Sequence, residues 1–473
     1  MAESTPAASA PPPADAAAPK APPRNPALRM LGLPGLPRKL PSRNWMIFWT
    51  VSGAITAAII YDKREKKRAT ARWRHAVEHL AKEPIPDGLT QPRKITIYLS
   101  SPPGDGLRVA QDHYTEYVKP ILAASGLDWE FVQGRREGDI RAFVAERVRR
   151  RRQTLDNGGE PPETDKEPTK EEIIEVFRKS RGIKEYDGIR GDVVIGRHTW
   201  KEYLRGLHEG WLGSLTPPPE PEPKPEPPKT DAPEAATDGK LAGEDKAAEE
   251  KKAEEKKEEE QKKPKRPPQP RPHNSPADYP TASLPAVIPS AFDPSAPIRE
   301  PHLLGFLNTP TRLYRFFNRR KLADEIGREV AAVCLCTYRE YRQLDATAAA
   351  GPDDASPTTD ASSPSPQYEQ QTELVWEEKD WVKDLWKESA DGPTDEIPER
   401  VRAPPVVMDP RIAARMRRFH LTPEDEAKAR AIVVPEEEIE GWIKGKFRQL
   451  YRWGVRKAFE KKKLTPLDDK DVE

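Results

Sequence analysis

Along most of this chain polar and apolar residues alternate at close range, but Asn44 to Tyr61 (NWMIFWTVSGAITAAIIY) carries no charge. Basic residues bracket it, with Arg38, Lys39 and Arg43 before and Lys63, Arg64, Lys66, Lys67 and Arg68 after. At about 1.5 Å per residue the stretch reaches roughly 27 Å, the short end of what crosses a hydrocarbon core of about 30 Å. Trp45, Trp49 and Tyr61 suit the headgroup level, and Ser52 and Gly53 leave a notch for a neighbouring helix. The pattern predicts a membrane helix over 44–61. A cleaved signal would start near Met1, whereas here an Ala/Pro-rich, acid-poor segment, 1–43, comes first and reads as disordered. The downstream flank is the more basic, so by charge alone the bulk of the chain faces the inside.

After the span the periodicity becomes that of a folded domain. From Lys63 to about Leu80, Trp73, Ala76, Val77 and Leu80 fit a helix that Pro84 and Pro86 end. KITIYLSSPPGDG, from Lys94, reads as an apolar-rich run of strand propensity breaking into a Pro/Gly loop. Leu107 to Ala124 sets Val109, Tyr114, Tyr117, Val118, Ile121 and Leu122 near one helical face. A strand at Asp128 to Gln133, a helix from Asp139 and a short helix over Lys170 to Ser180 follow. Gly191 to Leu215 then reads as a buried strand, a tight turn and an amphipathic helix. Strands alternating with helices predict an α/β fold, a parallel sheet with flanking helices over 62–216.

Residues 217–283 turn to Pro-Glu-Lys repeats and a Lys/Glu run, a charged linker or insertion without a core, with local helix at Ala247 to Lys262. Order returns in 284–344, the first part of an expected second α+β lobe, in which Val330 to Tyr338 fits strand and helix equally. A second disordered insertion covers 345–370, and 371–473 completes the lobe, with Glu373 to Lys387 and Pro410 to Lys463 structured. Its last helix sets Trp442, Ile443, Phe447, Leu450, Tyr451, Val455 and Phe459 against Lys444, Lys446, Arg448, Arg452, Arg456 and Lys457, a pattern equally that of a membrane-surface helix and of a packing helix.

Composition sharpens this. A third of the residues are charged, there are 54 prolines, and hydrophobic content is 35%, so folded and unfolded parts must be mixed. With Lys+Arg 79 against Asp+Glu 78, charge makes no case for nucleic acid as a partner. Cys334 and Cys336, the only cysteines, read as free buried thiols, and eight scattered histidines give no metal motif. No catalytic constellation and no cofactor motif stands out.

Four blocks carry a resemblance: SRNWMIFWT, KITIYLSSPPGDGL, GDVVIGRHTWKEYLRGLHEGW and PHLLGFLNTPTRLYRFFNRRKLADEIGRE. Together they resemble the large single-span subunit of the carrier translocase of the mitochondrial inner membrane. The resemblance implies a non-enzymatic subunit with its N-terminus in the matrix, against the charge count, and its soluble domain in the intermembrane space. It implies as partners the other translocase subunits, small intermembrane-space chaperones carrying substrate proteins, and inner-membrane lipids.

Within the third block, Thr199, Glu202, Gly206 and Leu207 look like the nucleotide-binding turn of the diacylglycerol kinase fold. Ile195, Gly196, Arg197 and His198 stand where that motif has Gly, Gly, Asp and Gly. Bulk then obstructs the approach to phosphate, and the acidic position is reversed in charge, so kinase chemistry is not expected from this loop. Gly104, Gly106 and Arg197 remain candidates for an anion or lipid phosphate, the mark of the alternative reading, a membrane-tethered lipid kinase or lipid-phosphate-binding relative. Arg312, Tyr314, Arg315, Phe316, Phe317, Arg319 and Arg320 form the candidate docking surface for a partner, since arginines interleaved with aromatics are enriched at interface hot spots. A tether joining two membranes, with the linker as spacer, would require the part after Pro280 to fold separately.

Overall fold

A computed structural model describes residues 42–84, 88–102, 104–157, 170–184, 186–218, 269–344, 367–374 and 398–463. Nearly all of segment 1–43, the helix expected at Ala247 to Lys262, and most of the linker, of the second insertion and of Glu373 to Lys387 lie outside the described residues. The chain divides into Met1–Ile59 and Ile60–Glu473.

In the first unit, helix α1 (Arg43–Val77) begins, the one helix among the described residues that is long and apolar enough to cross a membrane. Trp45, Phe48, Trp49 and Ile55 are all exposed. The hydroxyls of Thr50 and Thr56 donate back to the carbonyls of Ile47 and Ser52, which satisfies them without water.

The second unit is built on a six-stranded sheet in the order β2-β1-β3-β4-β6-β5. Its strands are β1 (Lys94–Ser100), β2 (Asp128–Gly134), β3 (Asp192–Ile195), β4 (Ser295–Ile298), β5 (Tyr338–Glu340) and β6 (Arg417–Phe419). All neighbours run parallel except β5 and β6, paired Tyr338 to Phe419. The α/β expectation and the parallel sheet agree with this. Strands β4, β5 and β6, which come after the charged linker, extend the first sheet and do not form a sheet of their own.

Between the strands run α2 (Leu107–His113), a π turn (Tyr114–Val118), α3 (Lys119–Ser125), α4 (Asp139–Asp156), α5 (Lys170–Ser180) and α6 (Thr199–Leu212). The π turn precedes Pro120, whose missing N–H would interrupt an ordinary helix. Helices α7 (Thr309–Phe316) and α8 (Arg319–Leu335) follow β4, and α9 (Glu369–Thr372) and α10 (Pro410–Ala413) precede β6. The chain closes with α11 (Pro423–Ala431), α12 (Glu436–Glu440) and α13 (Trp442–Lys463). Val330 to Leu335 is thus helical, and β5 starts only at Tyr338. Cys336 ends α8 in the left-handed conformation at φ 58°, and both cysteines are free thiols, Cys334 buried and Cys336 half-buried.

Alternation along the strands sends side chains to two cores. Ile95, Ile97, Leu99, Val193, Ile195 and Ile298 pack with Trp73 and Val77 of α1, Tyr117 and Val118 of the π turn, and Val330 and Val333 of α8. On the other face Tyr98 and Val194 pack with Val144 and Val148 of α4 and Trp200, Tyr203 and Trp211 of α6. The helix leaving the apolar stretch is therefore part of the core. Trp73 Nε1 donates to Asp324 Oδ1 at 2.7 Å, and the Trp73 ring fills the space where a Cβ on Gly327 would stand.

Every residue of α6 is buried, charged ones included. Glu209 lies 2.5 Å from Arg141 and 2.9 Å from Arg149. Lys201 donates to the carbonyls of Arg402 and Pro404, and Arg205 bonds Glu399 and Asn274. His208 Nδ1 donates to the Leu204 carbonyl at 2.7 Å, which leaves Nε2 to accept from the Asp409 N–H at 3.0 Å. Burial, the largest influence, pushes this imidazole down to about 4, in keeping with a neutral ring. Gly206 and Gly210, one turn apart, let α6 approach α4, since a Cβ at either would meet Val144 or Val148 within 2.8 Å.

Substituting Gly327→Ala should lower stability by about 1–3 kcal/mol through overpacking against Trp73. Urea unfolding of the full-length protein in detergent measures this, and a companion Trp73→Leu should relieve most of the added strain.

Candidate functional site

In a sheet of this order the loops leaving β1 and β3 diverge to opposite sides, which opens a crevice at their carboxyl ends. Here the β1 loop carries Gly104 and Gly106, and the β3 loop carries Gly196, Arg197 and His198. Gly104 adopts φ +78°, with no atom within 4 Å of a Cβ built there, and Gly106 precedes the first turn of α2. Gly196 adopts φ +121°, where a Cβ would sit 2.5 Å from Thr199 Oγ1.

The candidate anion residues do not form an open anion cradle. Arg197 is buried, and its Nη1 donates to Asp105 at 3.0 Å, with Asp105 supplied by the same β1 loop. Its Nη2 lies 3.5 Å from Glu300, which follows β4. Two carboxylates therefore already stand where an external anion would bind. His198 is buried, and its imidazole is held far below its ordinary value, by burial first and then by Arg402, Lys201 and Arg197. Glu202, the position matched to the kinase pattern, is sealed in the core. Its Oε2 accepts from the Ile140 N–H at 3.2 Å, capping α4, and Oε1 meets Arg402 at 3.3 Å.

What the structure does bring together is Arg197 and most of the arginine-aromatic block. A groove of about 1090 Å³ runs between α2 with the π turn and α7 with α8, and its floor is made by the residues after β3 and β4. Arg312, Tyr314, Arg315, Phe316 and Arg319 line it, as do Arg197, Arg299 and Lys321. Asp112, Glu116 and Glu325 stand among these cations, and Val109, Leu303, Leu304 and Leu313 provide apolar wall.

Two members of the predicted block lie elsewhere. Arg320 stacks its guanidinium over Tyr61, 5.0 Å from the ring centroid, and its N–H donates to the buried Asp62 carboxylate at 3.3 Å. Phe317 packs edge-on against Phe316, 5.4 Å between centroids. The wall is braced from within: Lys321 Nζ donates to the Tyr314 hydroxyl at 3.0 Å, Arg319 lies over Phe316, and Lys66 sits over Tyr117 at 4.2 Å while pairing with Glu116. In the chain between the lining residues Leu304 and Thr309, Phe306 and Leu307 are 90% and 91% exposed.

Sequence reading missed Glu300, Asp105 and His113, which lines the groove. Burial pushes the His113 imidazole down to about 4, so it is neutral here at ordinary pH. The Glu300 carboxyl is raised to about 7, by burial first, which outweighs Arg197. Its Oε2 has no hydrogen-bond partner among the described residues, which agrees with a carboxyl close to carrying a proton. Nothing in the local sequence PIREPH marks this residue. Among the described residues there is no cluster of metal-ligand type.

A family model described as the inner membrane protein import complex subunit Tim54 matches residues 25–419. The chain is similar to the mitochondrial import inner membrane translocase subunit tim54 of Neurospora crassa, 65% identical over 453 residues, 95% of this chain and 92% of that protein. The subunit of the same name from Aspergillus oryzae is 49% identical over 414 residues, 86% and 91% of the two chains. That of Schizosaccharomyces pombe is 34% identical over 296 residues, 63% and 78%.

The Glu300 environment predicts a pH effect. The folded state holds a proton that the unfolded chain, near 4.5, gives up. This contribution to stability is complete below about 4.5 and is lost as pH rises through about 7. Glu300→Gln should remove that fall, so that the variant gains on the order of 3 kcal/mol over wild type between the two ends of the window. Urea unfolding at stepped pH measures the difference.

Proposed function

The chain belongs to the Tim54 family of mitochondrial inner-membrane protein import complex subunits, and on that footing we propose that it is a non-enzymatic scaffold whose groove is a docking surface. In this reading Asn44 to Tyr61 is the single span, the N-terminus lies in the matrix and the α/β domain stands in the intermembrane space. There it stabilises the translocase and receives the small chaperones that deliver multispanning carrier proteins for insertion.

The observation that carries the proposal is the convergence of Arg312, Tyr314, Arg315, Phe316 and Arg319 on one groove wall. Exposed arginines beside aromatic rings, on helices braced by internal contacts, are the composition of interface hot spots. The pairing of Arg197 with Asp105 and Glu300 favours this over the alternative of a lipid kinase or lipid-phosphate site, because the charge such a site requires is already neutralised. The likeness to the diacylglycerol kinase fold then concerns architecture alone.

Charge reversal tests the reading. The full-length triple variant Arg312→Glu, Arg315→Glu, Arg319→Glu should capture intermembrane-space chaperones about tenfold or more less well, while the other translocase subunits still co-purify. Unchanged chaperone capture would remove the docking role. Loss of the whole complex would assign these residues to subunit assembly.

A further inference from the structure

Helix α13 is turned the wrong way round for a helix packed on a soluble domain. Gly445 is its one buried residue among those described, and a Cβ there would stand 2.7 Å from Glu437 Cα, so this side faces α12. On the same side Arg448 reaches Glu440 at 3.1 Å and Arg452 reaches Glu436 at 2.8 Å. At about 100° per residue, Ile443, Phe447, Leu450 and Tyr451 fall on the opposite side. They are 64%, 70%, 62% and 72% exposed. The charged side is thus paired with protein and the apolar side is bare, the reverse of an amphipathic helix burying its apolar stripe in a core.

The place where α12 and α13 are held says what covers that bare side. Glu436 and Glu440 bind not only α13 but also Arg64 and Arg68 of α1, with Arg64 Nε to Glu440 at 3.1 Å and Arg68 Nη2 to Glu436 at 2.8 Å. Arg64 also pairs with Glu436. Arg64 lies three positions after Tyr61 in one continuous helix, about 4.5 Å further along its axis. One acidic turn therefore fastens α13 to the first turn after the apolar stretch. Trp442, Trp453 and Tyr451 are side chains of the headgroup region, and exposed Lys444 and Lys457 supply cations beside the apolar side.

We propose that α13 lies along the surface of the membrane that α1 enters, with Ile443, Phe447, Leu450 and Tyr451 at the boundary of acyl chains and headgroups and Lys444 and Lys457 on anionic lipid. This makes a second membrane contact, held by Glu436 and Glu440. It rests on reading Asn44 to Tyr61 as a span.

The test uses full-length protein carrying Cys334→Ala and Cys336→Ser, reconstituted in vesicles of phosphatidylcholine and phosphatidylglycerol. A polarity-sensitive fluorophore is placed in turn at Ile55→Cys, Phe447→Cys and Gln449→Cys, and quenched by spin-labelled acyl chains. Both the Ile55 and the Phe447 positions should be quenched, Phe447 about twofold more than Gln449. Adding Ile443→Glu and Leu450→Glu should reduce the Phe447 signal to the Gln449 level, and so should vesicles without phosphatidylglycerol. Quenching at Ile55 with Phe447 left in water overturns the inference and leaves the span standing. A Phe447 label shielded from water but not quenched by lipid overturns it in favour of a protein partner. No quenching at Ile55 removes the span, and the inference falls with it.

Discussion

The complete burial of α6 is the constraint on which the rest of the domain depends. A helix carrying Lys201, Glu202, Arg205, His208 and Glu209 cannot be buried unless every charge meets a partner, because an unpaired ion in the interior costs several kcal/mol. The first half of the chain supplies Arg141 and Arg149 to Glu209, and the Ser100 hydroxyl and the Ile140 N–H to Glu202. The remaining partners come from the chain after the Lys/Glu run: Asn274 and Tyr279, Glu399 and Arg402, the Pro404 carbonyl and the Asp409 N–H. The two halves are therefore obliged to fold together, and β4 and β6 complete the same sheet for the same reason. A tether with separately folded ends does not fit this dependence.

The second fixed point is the distal half of α1. Its buried face, Ala69, Trp73 and Val77, belongs to the same core as β1 and β3, so this segment is a structural helix of the domain and no flexible stalk. Asp62 is the telling residue. It follows Tyr61 immediately and is the first acid in a run of lysines and arginines. Its buried carboxylate accepts from the first turn of α8, whose free N–H groups favour negative charge. A basic residue there would oppose the helix dipole.

Much of this was legible from periodicity. The strand from Lys94, the strand at Asp128 to Gln133 and the helices from 107 and 139 appear where the pattern places them, because alternation and helical spacing report local faces directly. The common sheet was not legible, since β4, β5 and β6 are each four residues or fewer and pair across the linker. Nor was the fate of Arg197. Its position in the chain showed a charge reversal relative to the kinase pattern, but not that Asp105 and Glu300 would meet it, one from each neighbouring strand end. The arginine-aromatic block was legible as a surface. Its division between groove wall and the Arg320 contact with Tyr61 depends on the break between α7 and α8 at Phe317 and Asn318.

That break also decides how the groove is anchored. The first turn of helix α8 donates the Arg320 N–H to Asp62, and at its end Arg93 donates to the carbonyls of Val333 and Cys334 at 2.8 and 3.2 Å, so both termini are met by side chains of other elements. Its middle is held by Trp73 through Asp324 and Gly327. A helix fixed at three points cannot tilt without breaking a buried hydrogen bond or opening a void at an indole ring, and each costs more than a surface contact returns. The groove wall formed by its first turns therefore keeps its position relative to Tyr61 and Asp62. A partner gripping Arg319 and the aromatic rings of α7 would be held at a set place beside the residue where the apolar stretch ends, which is what a receiving surface at a membrane requires.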